Sequence, residues 1–204
     1  MTLPNYCTSA DIEQVMTDVT WSTEYTPLLA RLCVRASRAI DSLCGREPGF
    51  FIAPATATER RYSGSGRLDM MPDPFAALTS VAVDEYGLGT FTAWAASEYI
   101  VQPYNAAALN VPYTSIVLDK MRSTKACWYP YQENVKITAR FGWALACPED
   151  ITQATIVWAL QNFKKGQSGY VGSGAANYAS IIMNSSEIDP ELNRLLQPYK
   201  AGPM

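Results

Sequence analysis

TPLLARLCVRASRAIDSLCG, Thr26 to Gly45, decides the fold. At helical spacing Leu28, Leu29, Leu32, Cys33, Ala36, Ala39, Ile40 and Leu43 recur at intervals of three and four, which places one apolar stripe on one face of a helix. Thr26 is suited to the N-cap, Pro27 to the first helical position and Gly45 to the left-handed residue beyond the end. A start as early as Ser22 is compatible with the same pattern. On another face lie Arg31, Arg35 and Arg38, four and three residues apart. Such a row reads either as a solvated face or as a contact row for an acidic neighbouring subunit, because guanidinium forks match carboxylate geometry.

A helix with one apolar face needs a partner, and the segment after Cys147-Pro148-Glu149-Asp150 supplies it. Proline near the first position and two carboxylates in the first turn favour a helix start. Ile151, Ala154, Thr155, Val157, Trp158, Ala159 and Leu160 then make it apolar around most of its circumference, so it must be nearly enclosed. Before the central stretch, Thr8 and Asp11 have the spacing of a capping box, and Ile12, Val15, Met16 and Val19 give a short first helix an apolar edge.

Between the two long helices the pattern is β. Thr58–Tyr62 and Arg67–Met71 flank Ser63-Gly-Ser-Gly66 and predict a hairpin with a four-residue loop. Val81 and Val83 mark a further strand, as do Tyr99–Val101 and Ser115–Asp119, and Val135–Phe141 alternates apolar and polar as a strand with one wet face does. The fold class is therefore α+β, a small helical core interrupted by an inserted antiparallel β sheet or barrel. In residue ranges, 1–54 and 145–165 form the helical core, 55–144 the insertion, and 166–204 a flexible linker with a short C-terminal helix. The linker, Gly166 to Ser186, is rich in glycine, serine and alanine. The last helix begins at Asp189-Pro190-Glu191 and carries Leu192, Leu195, Leu196 and Tyr199. A helix below about 12 residues is marginal in water, so this one is expected to lie on its own domain or on another chain, with its apolar stripe exposed until assembly.

The 204 residues are 48% hydrophobic and only 17% charged, a composition that leaves room for protein–protein surface. With 16 basic and 19 acidic residues the net charge is −3, so the chain lacks the basic stripe that captures nucleic acid or an anionic membrane. No apolar run approaches the roughly 20 residues of a membrane span, and the N-terminus lacks the basic start and apolar core of a signal peptide. The sequence contains no histidine, which removes every Ser/His or Cys/His pair and the commonest metal ligand. The five cysteines show no C-x-x-C spacing, and Cys33 and Cys44 are about 16 Å apart along one helix, too far to bond. Reduced thiols in a cytoplasm-made protein are the expectation. No cofactor or metal motif is present: the Gly-rich loop at Ser63–Gly66 is not followed by GK[ST], and no D-x-D-x-D-G loop occurs. The carboxylate neighbours Asp69 and Asp73, Asp84 and Glu85, and Glu149 and Asp150 fit turns or a helix start. Two carboxylates alone do suffice for a glycosidase, and Tyr104, Tyr113, Trp128, Tyr129 and Tyr131 could stack on sugars or cover the open end of a small sheet.

ASRAIDSLCGR, RRYSGSGR, SVAVDEY, PYTSIVLD and VKITARFGWALACPEDITQATIVWAL, in that order, resemble the head–tail connector (adaptor) proteins of tailed bacteriophages. The similarity spans roughly residues 8 to 165. Its most specific parts are R-x-Y-x-G-x-G at Arg60–Gly66 and the strand–Gly-Trp–Pro–helix join from Val135 to Ile151. The resemblance implies a non-enzymatic virion protein of the neck, a homo-oligomeric and usually dodecameric ring beneath the portal. Such a ring extends the DNA channel and offers a platform to the next neck or tail protein. It implies subunit contacts, for which Arg31, Arg35 and Arg38 are the candidates, and portal or neighbour docking by Leu192, Leu195, Leu196 and Tyr199. Packaged DNA would pass a mildly acidic channel without specific binding. A stopper or tail-completion protein of the same neck is the neighbouring reading, and a carbohydrate-binding or hydrolytic phage protein the reading from another class.

Overall fold

The computed structural model describes residues 3–16, 25–171 and 190–201. The architecture is α+β, with helices and antiparallel sheets held in two compact units, Met1–Gly49 with Cys147–Met204, and Phe50–Ala146.

In the first unit α1 spans Ser9–Val15 and opens with the capping box read from the sequence: Thr8 accepts from the Asp11 amide, and the Asp11 carboxylate accepts from Thr8. Ile12 is buried and Val15 exposed, while Val19 lies outside the described residues. α2 spans Thr26–Leu43, one residue earlier than its capping signal: Tyr25 is the N-cap, without a side-chain bond, and Thr26 belongs to the first turn. Gly45, at φ +64°, ends the helix in the left-handed conformation expected of it. Leu29, Cys33, Ala36 and Ile40 are buried, and Leu28, Leu32, Ala39 and Leu43 flank them half-buried. α2 packs against α4, which spans Glu149–Val171 and buries Ile151, Ala154, Ile156, Trp158, Ala159 and Phe163. Its helical path continues past Gly166, where the composition suggested a linker. Gly166 and Gly169 each cost a long helix only about 1 kcal/mol. The rest of that expected linker, from 172 on, lies outside the described residues.

Ile40 is 0% exposed and Leu32 half-buried. Ile40→Ala should therefore cost about 2–4 kcal/mol and Leu32→Ala less than half of that, measured as the shift in urea-unfolding free energy. Equal losses would contradict the burial pattern.

The second unit holds seven strands among its described residues. β1 (Thr58–Tyr62), β7 (Val135–Phe141), β3 (Phe75–Val83) and β4 (Thr92–Ala93) form one sheet in that order, and β2 (Asp69–Met70), β6 (Ser115–Leu118) and β5 (Tyr99–Gln102) the other. A single helical turn, α3 (Ala106–Leu109), follows β5. Strict alternation in β7 places Val135, Ile137, Ala139 and Phe141 inward, against Val81 and Val83 of β3 and Ile116 and Leu118 of β6. The expected hairpin between Thr58–Tyr62 and Arg67–Met71 is not formed: β1 pairs with β7, and β2 with β6. Gly64 and Gly66 instead carry the chain from one sheet to the other, donating to the carbonyls of Tyr131 and Trp128 at 3.2 and 2.7 Å. Ser65 Oγ turns the chain locally, accepting from the Arg67 amide and donating to the Asp69 carbonyl.

Candidate functional site

Of the arginine row on α2, Arg31 and Arg35 are exposed, as a contact row requires. Arg38 is not. Its guanidinium stacks over the Tyr6 ring at 5.5 Å, donates to the Pro4 carbonyl at 2.6 Å and approaches the Asp41 carboxylate at 3.4 Å. The helical period that aligned the three arginines also sets Arg38 one turn from Asp41, and that buried acid draws it inward. Asp41 is 1% exposed and accepts from the Tyr6 hydroxyl and from the Gly49 amide. Ser37, equally buried, accepts from the Tyr6 amide and donates to the Cys33 carbonyl. The sequence reading missed this network because both residues interrupt the apolar stripe; the signal was two short polar residues on its edge.

Burial pushes the Asp41 carboxyl above the usual carboxylate range, and the bonds from Tyr6 and Gly49 and the charge of Arg38 only partly offset it. The folded state therefore holds this proton more tightly than the unfolded chain, and stability contributed by the protonated form is lost as pH rises through the folded pKa. Wild type should gain stability relative to Asp41→Asn as pH is lowered from neutral. Thermal melting of both proteins across that range checks it; parallel curves would contradict it.

The C-terminal helix α5 (Pro190–Leu196), with a 3-10 turn at Gln197–Tyr199, does not wait for a neighbour. It packs on α4, with Leu192 and Leu196 2% and 1% exposed and Leu195 and Tyr199 half-buried. The Tyr199 hydroxyl donates to Asp150 at 3.0 Å, Arg46 donates to the carbonyls of Tyr199 and Lys200, and the Ala201 amide closes on the Cys44 carbonyl at 2.8 Å. The expectation of an exposed stripe that orders only on assembly is thus corrected. The apolar face of α4, broader than α2 alone can cover, is what receives α5.

In the second unit the R-x-Y-x-G-x-G stretch is architectural. Arg60 lies over the Phe141 ring at 4.3 Å and donates to Asp73 at 2.6 Å, and the Tyr62 hydroxyl donates to the same carboxylate at 2.8 Å. The loop aromatics do not assemble into one stacking platform. Trp128 is core, Tyr113 stacks on Phe75 at 5.5 Å, and Tyr104 projects into solvent. A cavity of about 330 Å³ opens at the β3–β4 turn, lined by Asp84, Glu85, Tyr86, Leu88, Thr90, Thr92 and Lys125. Its two carboxylates are engaged. Asp84 accepts from the amides of Tyr86, Leu88 and Gly89 at 3.2, 3.1 and 2.5 Å, and these bonds outweigh desolvation and hold its pKa below the usual carboxylate range. Glu85 is ion-paired with Lys125 and accepts from the Trp94 indole, which lowers its pKa as well. Both therefore stay ionised and bonded, the reverse of a general acid, whose pKa must be raised. Among the described residues no group of three or more acidic or thiol ligands could hold a metal ion, and no helix is long and apolar enough to cross a membrane.

No protein-family model matches the chain, and no curated protein matches it. Solved structures do share its fold. A chain in the neck of an empty GTA particle, computed with C6 symmetry, aligns with TM-score 0.53 and 16% identity over 96% of this chain and 90% of that one. A chain in the virion of a native gene transfer agent particle aligns with TM-score 0.52 and 16% identity over 100% of this chain and 94% of that one. At this identity the likeness establishes the fold, which is that of chains in a phage-like particle.

Proposed function

We propose that this chain is a structural neck protein of a phage-like particle, a head–tail adaptor. It would form a ring beneath the portal, continue the DNA channel and seat the next neck or tail protein. The observation that carries the reading is a fold shared over nearly the whole chain with neck and virion chains of gene transfer agent particles. Two features of the molecule support a structural role over a catalytic one: the carboxylates lining the cavity are committed to internal bonds, and the acidic balance of −3 gives passing DNA little to hold. Arg31 and Arg35 are available for contacts between subunits, with Arg38 fixing the N-terminal segment behind them. The C-terminal segment is the proposed portal contact, with Leu192 and Leu196 as its internal anchors and the half-exposed Leu195 and Tyr199 toward the partner.

The test is a mass measurement of the chain alone and mixed with the portal protein of its own particle. A ring-sized species that joins the portal is expected. A chain that stays monomeric and unbound in the mixture would overturn the adaptor reading.

A further inference from the structure

Strand register assigns each loop of the β unit to one of its two ends. β3 runs from Phe75, which pairs with Phe141 and bridges Tyr113, to Val83, which pairs with Val135 and Thr92. The β3–β4 turn is at the Val83 end, together with the loop after β6, whose Lys125 is ion-paired with Glu85. The segment after β5 is at the Phe75 end, since Gln102 pairs with Ser115 and the Trp143 indole donates to the Asn110 carbonyl. At about 3.3 Å per residue the 9-residue β3 holds these ends about 25–30 Å apart.

Among the described residues six strongly exposed apolar side chains divide between the two ends. Tyr86, Leu88 and Met121 project at one, and Tyr104, Leu109 and Met71, which follows the Met70–Ile116 pair, at the other, with exposures from 66% at Leu109 to 92% at Met121. The surrounding stretches YGLGTFTAWAAS, from Tyr86, and QPYNAAALNVPYTSIVL, from Gln102, contain no charged residue.

We propose that these ends meet head to tail between neighbouring copies of this chain, the Tyr86–Leu88 turn of one seated against Tyr104 and Leu109 of the next. Two unlike apolar surfaces at opposite ends of one unit are what a heterologous, ring-closing contact requires, whereas an isologous contact would use one surface twice and leave the other wet. The two stretches are themselves uncharged. Beside them Glu85 is paired with Lys125 and Arg122 with Asp119, and Lys120 next to Met121 is exposed, so the Tyr86–Leu88 turn rather than Met121 is the part that docks without desolvating charge. The turn is already ordered by the three amides bonded to Asp84, so little conformational freedom is lost on docking. Six such side chains cover on the order of 600–800 Å², below the roughly 1,200–2,000 Å² of a stable pairwise interface. A single contact is therefore weak, and closure of the ring, in which every copy is held at both ends, supplies the strength. This interface rests on the ring-forming reading above.

Sedimentation velocity on the full chain tests it, using wild type, Leu88→Glu and Leu109→Glu, alone and mixed, with melting temperatures as the control that these exposed substitutions leave the fold intact. Wild type should associate with rising concentration toward a closed species, and each variant should associate more weakly by roughly tenfold or more. An equimolar mixture of the variants should go no further than a dimer, populated at the highest concentrations and more than in either variant alone, because each retains the end the other lacks. Rings built by either variant would overturn this interface and leave the ring reading standing. A mixture that closes into rings, or that shows no more dimer than either variant alone at the highest concentrations, would overturn the head-to-tail pairing. A wild type that never associates would overturn both.

Discussion

Gly64→Ala should abolish cooperative folding of the β unit or destabilise it by about 3 kcal/mol or more. A methyl group built on Gly64 would lie 1.8 Å from the Tyr129 carbonyl oxygen, 2.7 Å from its carbon and 3.0 Å from the Trp128 oxygen. All three are backbone atoms, so no side chain can swing aside to make room. The glycine is held there by its own amide, which donates to Asn134 Oδ1 at 2.9 Å and to the Tyr131 carbonyl at 3.2 Å. Asn134 is in turn fixed, donating to the carbonyls of Asp84 and Tyr129. Relieving the clash would separate the sheet crossover from the 128–134 segment and leave these buried groups without partners, at about 1–3 kcal/mol each. That exceeds ordinary overpacking, which costs about 1–3 kcal/mol in total. Gly89→Ala is the control. Gly89 is at φ +82° with nothing within 4 Å of an added Cβ, so only left-handed strain of about 1 kcal/mol is added. Urea unfolding of both variants separates the cases, and equal losses would show that close backbone approach is not what selects glycine at 64.

Trp128→Ala should cost about 3–5 kcal/mol for the lost side chain, while the Leu68 carbonyl loses one of its two bonds and keeps that from the Leu118 amide at 2.8 Å. The indole is 0% exposed, its ring centroid lies 4.9 Å from that of Trp94, and its Nε1 donates to the Leu68 carbonyl at 3.0 Å. The backbone of the same residue donates to the Arg67 carbonyl and accepts from Gly66, so Trp128 ties the crossover to the core through both main chain and side chain. Trp128→Phe restores much of the volume without the donor and should fall between wild type and alanine. A loss below about 1 kcal/mol for the alanine variant, by denaturant unfolding, would contradict the placement of Trp128 at the centre of this core.

These two positions also show where local reading gives way. Gly64 and Trp128 both fall in stretches that read as loop: the first as the tip of a hairpin, the second as a surface aromatic. Spacing indicates that glycine is needed at 64 and 66, yet not that the reason is a carbonyl from a segment more than 60 residues onward in the chain. Likewise α5 has the length and stripe of a helix in need of a partner, and the sequence does not specify that α4 of the same chain provides it.

The sequence by itself determined α1, α2 and α4, the left-handed end at Gly45 and the inward face of β7. Each is encoded within one element, by side-chain periods of 3.6 or 2 and by caps that act on adjacent backbone groups. The tertiary structure decided the strand partners of β1 and β2, the burial of Ser37 and Asp41, the withdrawal of Arg38 from its row, the seat of α5 and the segregation of Tyr86 and Leu88 from Tyr104 and Leu109. All of these turn on which distant backbone and polar groups meet. A strand exposes the same donors and acceptors to any neighbour, and a polar residue on an apolar face is tolerable only when a particular distant partner satisfies it.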